Sequence, residues 1–329
     1  RGGKTYVAAE ILRQLIIRHS KVNFLFMTES ADIFNQNGSE ISNFLGIKES
    51  EMGKIREKLY EPKMLTTAMI QTLHYKLRTI PKDDFTYKVH QKTKKKIIDY
   101  LRTIDFIVID EIHEFLSAER RKILSYCKNA RWILGLSATP FKKNNLINSL
   151  KLQGLIGPIL YDITEQSLVE RGVLAKNRVA CVLMTHNFEQ GTYQELLKTN
   201  IIHNNNRNTI ILTIMEVCFK LKKKLLVMFS SVEHGKVISK ATGVHFLYGN
   251  HDDIERSEAK RDFLEGEGGC LLVSNIWKKG VTLPSVEVFV NASGGKEDTS
   301  LLQKRGRVLG TTSSKSKAFC SPNFACSTT

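Results

Sequence analysis

The chain has 329 residues, 42% of them apolar, which is enough for one large core or two medium ones and favours two domains. Lys and Arg number 49 against 33 Asp and Glu, a net charge of +16 that excludes a disordered acidic tail and points to a polyanionic partner, nucleic acid before anionic membrane. No apolar run reaches the ~18 residues of a spanning helix, and no signal peptide is visible.

Residues 5–18 place Val7, Ala8, Ile11, Leu12, Leu15 and Ile16 on one helical stripe. Short β-branched apolar runs then predict strands at 23–28, 64–70, 105–110 and 132–137, and later at 225–229, 270–274 and 286–290. Most are apolar on consecutive residues, as in strands of a parallel sheet covered on both faces. A second amphipathic helix is predicted over 208–221, so the order reads βαβα and the class is α/β with mostly parallel sheets. Residues 79–96 carry Lys82, Lys88, Lys92, Lys94, Lys95 and Lys96 with little periodicity and read as a solvated insertion or a phosphate-contacting loop. A junction is expected near Gly154, Gly157-Pro158, Gly172 and the short helical stretch 165–171. The boundaries drawn are 1–176 for the first domain, 177–310 for the second, and 311–329 for a Ser/Thr-rich tail without structure. The six cysteines are scattered without a Cys-x-x-Cys pair, which argues against a zinc ribbon and for a reducing, cytoplasmic compartment.

Four short stretches carry the chemistry. Arg1-Gly2-Gly3-Lys4-Thr5 enters a helix at once: glycines let backbone N–H groups close on phosphate oxygens, Lys4 can reach the β and γ phosphates, and the Thr5 hydroxyl can ligate Mg²⁺. This is the second half of a phosphate-binding loop, whose first glycine would precede Arg1. Phe106-Ile-Val-Ile-Asp110-Glu111-Ile112-His113 puts two carboxylates at the end of a buried strand, where a cation offsets their cost; Asp110 suits Mg²⁺ and Glu111 suits polarising an attacking water. Gly135-Leu-Ser137-Ala138-Thr139-Pro140 offers small hydroxyls at another strand end, able to bond the acidic pair. Gln303-Lys304-Arg305-Gly306-Arg307 supplies arginines suited to γ-phosphate charge.

In this order, and with Phe229-Ser230-Ser231 and the stretch from Ser274 through Gly280 to Pro284, the chain resembles the superfamily 2 helicases from their motif I to their motif VI, over residues 1 to about 310. Asp110-Glu-Ile-His113, Ser167 to Ala175, and Val232-Glu-His234-Gly235 are most similar to the branch holding the phage UvsW helicase, XPB and the helicase subunits of restriction enzymes. DEAD-box RNA helicases look less similar, because the acidic motif ends in His113 and motif VI opens with Gln303.

The resemblance implies two RecA-like domains with ATP and Mg²⁺ between them, in a monomeric motor that acts on nucleic acid, DNA more than RNA, in recombination, repair or replication. It implies that Gly2, Gly3, Lys4, Thr5, Gln303 and Arg307 bind ATP, that Thr5 and Asp110 hold Mg²⁺, and that Glu111 is the catalytic base, with Asp110, Lys4 and Arg307 in the catalytic set. His113, Ser137, Thr139 and Gly280 would couple hydrolysis to movement. Thr28, Gln71, Thr72, Ser230 and Ser231 would contact nucleic acid. Thr282 and Gly310 stand where the family has Asp and Arg, and both ends look cut, so a fragment without turnover that binds nucleic acid is the alternative expectation, beside an RNA helicase. A small-molecule P-loop kinase is discounted, since it predicts one sheet and a lid.

Overall fold

A computed structural model describes residues 3–29, 31–141, 146–180, 182–184, 191–249, 253–274, 283, 285–293, 317–321 and 325–326. The chain divides into two compact units, Gly2–Asp162 and Ile163–Thr329. The division falls before the short helix at 165–170, so that helix and Leu174-Ala175 belong to the second core instead of closing the first.

The first unit opens with α1 (Lys4–His19), β1 (Phe24–Thr28) and α2 (Ala31–Leu45), followed by β2 (Gly53–Arg56), β3 (Leu59–Glu61) and β4 (Leu65–Met69). It continues through α3 (Ile70–Leu77), α4 (Tyr87–Leu101), β5 (Phe106–Asp110), α5 (Ala118–Tyr126), β6 (Trp132–Leu136) and α6 (Leu146–Ile156). The strands form one sheet in the order β3-β2-β4-β1-β5-β6, parallel except for β3, which runs antiparallel to β2. Every residue of β1 and β5 is buried, because helices cover both faces. Alternation then sorts the side chains: Phe24, Phe26, Phe106 and Val108 pack with α1 and α2, while Leu25, Met27, Ile107 and Ile109 pack with α3, α4 and α5.

Residues 79–96 show little periodicity in sequence, yet from Tyr87 to Leu101 the chain forms a regular helix. Ile97 and Leu101, one turn apart, enter the core together with half-buried Ile98 and Tyr100, and the lysines occupy the remaining surface.

The second unit contains α7 (Glu165–Glu170), β7 (Lys176–Val179), β8 (Leu183–Met184), α8 (Tyr193–Leu197), α9 (Asn205–Lys220), β9 (Lys224–Phe229) and α10 (Val232–Thr242). After these come β10 (Phe246–Leu247), α11 (Asp253–Glu265), β11 (Gly269–Ser274), β12 (Val288–Asn291), β13 (Lys317–Ser321) and β14 (Ala325–Cys326). Its main sheet has the order β10-β11-β9-β12-β13-β7, with every pair parallel. Leu225, Val227 and Phe229 pack with α9 and α10, and Leu226 and Met228 pack with Phe263 of α11 on the other face.

β13 overturns the expected unstructured tail in part. Lys317-Ala-Phe-Cys-Ser321 is too short and too polar at its ends to announce a strand, but it pairs with β12 on one side and β7 on the other, and such pairing satisfies its backbone from both edges. Ala325–Cys326 likewise pairs with β8. Among the described residues, no helix is long and apolar enough to cross a membrane.

Val232-Glu-His234-Gly235 has a packing explanation. A Cβ on Gly235 would run into the Phe246 ring, and Phe246 in turn packs edge-on against Phe229. His234 is 1% exposed, shares a 2.8 Å hydrogen bond between Nε2 and Asn208 Oδ1, and lies edge-on to Phe229. Burial, helped by Arg207 and His203, pushes its imidazole from 6.5 down to about 3. The folded state therefore binds fewer protons than the unfolded chain between those values, and stability falls as pH drops through that window. Denaturant titrations of the chain at neutral and mildly acidic pH should show this loss, and His234→Gln, which can still donate to Asn208 but does not titrate, should flatten it.

Candidate active site

The site grows from the carboxyl end of the first unit's sheet, where open parallel sheets bind ligands. Gly3 precedes α1 with φ +68°, a left-handed conformation open to glycine, and accepts the first helical bond from Val7 N at 2.9 Å. The first turn of α1 has neither an acidic residue nor a side-chain cap, so its positive end faces no anion from its own sequence.

Lys4 and Thr5 are the first two residues of this helix. The Lys4 ammonium lies 3.0 Å from Glu111 Oε1 and 3.6 Å from Asp110 Oδ1. Burial works against its charge, yet the two carboxylates outweigh burial and hold it above its ordinary value. Asp110 ends β5 and is 8% exposed; burial lifts its carboxyl above the usual range, Lys4 opposes this and Glu111 adds to it. Glu111 follows in the left-handed region, φ 49°, and its N–H donates to Asp110 Oδ1 at 3.0 Å. That backbone turn lets consecutive carboxylates share one cation, where an extended strand would send them to opposite faces.

His113, in a 3₁₀ turn at Ile112–Glu114, joins this pair to the next strand. Its Nδ1 is 2.8 Å from Ser137 Oγ and 3.4 Å from Glu111 Oε2. Ser137 Oγ also accepts the Thr139 N–H at 3.0 Å. The Glu111 Oε2 and Thr139 Oγ1 atoms are buried without a hydrogen bond. Unsatisfied polar atoms beside a buried acidic pair are what a site for a phosphate, water and cation requires. The donor set fits Mg²⁺, which takes one or two carboxylates and fills its remaining positions with water and phosphate. Among the described residues, no cluster of three or more His, Cys, Asp or Glu forms an all-protein metal site.

Gly3, Lys4, Thr5, Asp110, Glu111, His113, Ser137 and Thr139 thus lie on adjoining strand and helix ends of one unit. Gly2, Gly280, Gln303 and Arg307 lie outside the described residues, as do Thr282 and Gly310.

The expected nucleic-acid contacts divide. Gln71 is exposed, and its Nε2 donates to the Glu29 carbonyl at 2.9 Å; Ser230 is exposed, and Ser231 caps α10 by accepting from His234 N. Thr28 and Thr72 differ from expectation. Thr28 is 1% exposed within the sheet, and Thr72 is buried with its Oγ1 accepting the Glu57 N–H at 2.9 Å.

Two structural partners carry no sequence signal. Asn37, buried in α2, accepts the Thr5 hydroxyl at 3.0 Å, which turns the oxygen's lone pairs away from α2 and leaves them for a ligand. Arg120 pairs with Glu29 at 2.6 Å and also donates to the Glu114 carbonyl, tying the turn after β5 to the end of β1.

A family model for the type III restriction enzyme res subunit matches residues 2–142, and a model for the helicase conserved C-terminal domain matches 192–309. A Haloarcula marismortui protein that bears the name DNA 3'-5' helicase Rad25 is 28% identical over 65% of this chain and 34% of its own length. An Arabidopsis thaliana DEAD-box ATP-dependent RNA helicase is 24% identical over 69% of this chain and 37% of its own. The solved structure of the ATP-dependent type ISP restriction-modification enzyme LlaBIII bound to DNA superposes with a TM-score of 0.65 at 13% identity, covering 98% of this chain and 26% of that one, a likeness of fold. The chain belongs to the superfamily 2 helicases, and its two units have the RecA-like fold. It spans about a third of the length of these curated relatives.

Lys4 is the cation that makes the acidic pair tolerable. Lys4→Met should lower the stability of the chain by about 1–2 kcal/mol, less than for a fully buried pair because Lys4 and Glu111 each keep 28% side-chain exposure. Combined with Glu111→Gln the loss should be smaller than the sum, since the second change removes the charge stranded by the first; strictly additive unfolding energies would deny the coupling.

Proposed function

We propose that the chain is the motor of an ATP-dependent helicase or translocase that acts on nucleic acid, DNA in preference to RNA, in recombination, repair or replication. The observation that carries this reading is the Lys4 ammonium shared by Asp110 and Glu111 beside an uncapped helix start. Lys4 has two sets of anions to choose from, these carboxylates or the phosphates of a nucleotide. ATP binding would transfer it to phosphate and free the carboxylates for their own work.

In this reading the first-turn N–H groups of α1 cradle phosphate oxygens, and Thr5 and Asp110 hold Mg²⁺. When bound, Mg²⁺ supplies charge neutralisation on the phosphates. Glu111 accepts the proton of the attacking water through its unsatisfied Oε2. His113, bonded to Ser137, ties the acidic turn to the loop after β6, and Ser137 in turn fixes Thr139. Displacement at either end is thereby felt at the other, which suits a coupling role for His113, Ser137 and Thr139; Gly280 would share that role by the resemblance alone. By the resemblance, Arg307 would add positive charge at the phosphates and Gln303, a neutral amide, would bind the nucleotide. Gln71, Ser230 and Ser231 contact the phosphodiester backbone, without strong preference for base sequence. The positive net charge supports a nucleic-acid substrate of either kind, and the name of the Haloarcula relative supports DNA.

Lys4→Ala should reduce ATP affinity, whereas Glu111→Gln keeps the shape of the site and should retain bound ATP while turnover falls about a hundredfold or more. Equilibrium binding of a fluorescent nucleotide together with single-turnover phosphate release separates the two effects. Hydrolysis by Glu111→Gln at the parental rate would remove Glu111 from the chemistry, and nucleic-acid binding by a parental chain that leaves ATP intact would favour the binding-only alternative.

A further inference from the structure

The helix that carries the candidate nucleic-acid contact Gln71 presents more than Gln71 to solvent. In α3, Gln71, His74 and Tyr75 are exposed, as is Arg78 at its C-terminal cap, while Leu73 and Leu77 enter the core. The i, i+3, i+4 spacing puts the three helical residues on one face. Tyr75 is 58% exposed, with the Arg78 guanidinium 3.6 Å over its ring centroid. This pair is preorganised in the geometry by which arginine and aromatic rings attract each other.

A second ring follows in the turn before α4. Asp84 Oδ1 accepts from Thr86 N at 2.7 Å and from Thr86 Oγ1 at 2.6 Å, and Tyr87 N donates to the Asp84 carbonyl at 2.9 Å. This tight turn leaves Phe85 97% exposed. The Asp84 carboxyl is held below its ordinary value chiefly by the Thr86 bonds and also by Arg78, which brings the turn within electrostatic reach of the Tyr75–Arg78 pair.

Charge and shape narrow what this surface fits. Residues 71–101 contain eight Lys or Arg and three Asp, with no Glu, so the region suits a polyanion. A membrane is disfavoured because α4 turns Ile97 and Leu101 into the core and so has no apolar face to insert. In duplex nucleic acid the bases are stacked on one another. Exposed rings among cations match a strand whose bases are free to stack on protein.

We propose that Tyr75 and Phe85 are stacking platforms for unpaired bases, and that the cations of residues 71–101 neutralise the adjoining phosphates, extending the track that starts at Gln71 into a single-strand binding surface. The proposal rests on the nucleic-acid reading above. It is tested by fluorescence anisotropy of the full chain with labelled oligo(dT) and with a blunt DNA duplex. Tyr75→Ala and Phe85→Ala should each weaken oligo(dT) binding by about tenfold and leave duplex binding unchanged. Tyr75→Phe should keep the parental affinity. Salt dependence should be unaltered in all three variants, because stacking releases no counterions, whereas Arg78→Ala should make it shallower. Parental oligo(dT) affinity in both alanine variants overturns the proposal, as does an equal loss for single strand and duplex. If the parental chain binds neither probe, the nucleic-acid reading fails and takes this proposal with it.

Discussion

Asp110 and Glu111 are consecutive carboxylates at the mouth of a buried strand, and their repulsion is the constraint around which the first unit is arranged. A strand would separate them to opposite faces; the left-handed turn at Glu111 instead brings both to Lys4. Lys4 reaches them because α1 starts at that residue, and α1 is held in place by Ala8, Ala9 and Leu12 against Phe24, Phe26, Phe106 and Val108. The core on that face of the sheet thus fixes the distance between a cation and two anions. Such a pair contributes little net stability when part-buried, so its function is the more informative part of its existence.

Around this centre, each contact has a second use. Asn37 accepts a hydrogen bond from the Thr5 hydroxyl and leaves its lone pairs free, Ser137 joins His113 to the backbone of Thr139, and Arg120 joins the turn after β5 to Glu29. Gln71 bonds the carbonyl of that same Glu29. A continuous set of polar contacts therefore runs from the acidic turn to the strand ends expected to meet nucleic acid. In a motor, contacts of this kind are where chemistry and grip would exchange free energy.

The strands of both sheet centres were legible because burial on two faces demands consecutive apolar residues, as in Phe106-Ile-Val-Ile, and the site was legible because Lys4-Thr5 and Asp110-Glu111 must fall where helix and strand ends meet. Less was legible where tertiary partners supply the pattern. Gly53–Arg56 and Leu59–Glu61 are short and carry charge, and their pairing with β4 and with each other makes them strands. α4 hides its inward residues at its last turns behind a run of lysines, and β13 depends on two neighbours that are remote in sequence. Thr28 and Thr72 read as surface contacts, yet both are buried, and no spacing distinguishes a hydroxyl that bonds the backbone, as Thr72 does with Glu57, from one that meets a ligand.

The proposed Mg²⁺–nucleotide site at Lys4, Asp110 and Glu111 can be tested without turnover. The most direct measurement is the thermal unfolding of the chain with a non-hydrolysable ATP analogue, with and without Mg²⁺, for the parental sequence and for Asp110→Asn. A ligand bound only by the folded state raises the melting temperature, with a stabilisation that grows as the logarithm of one plus the ratio of ligand concentration to Kd. The parental chain should show a shift that grows when Mg²⁺ is present, and Asp110→Asn a shift indifferent to Mg²⁺. No shift at saturating analogue, or the same Mg²⁺ response in both chains, would contradict the proposed site.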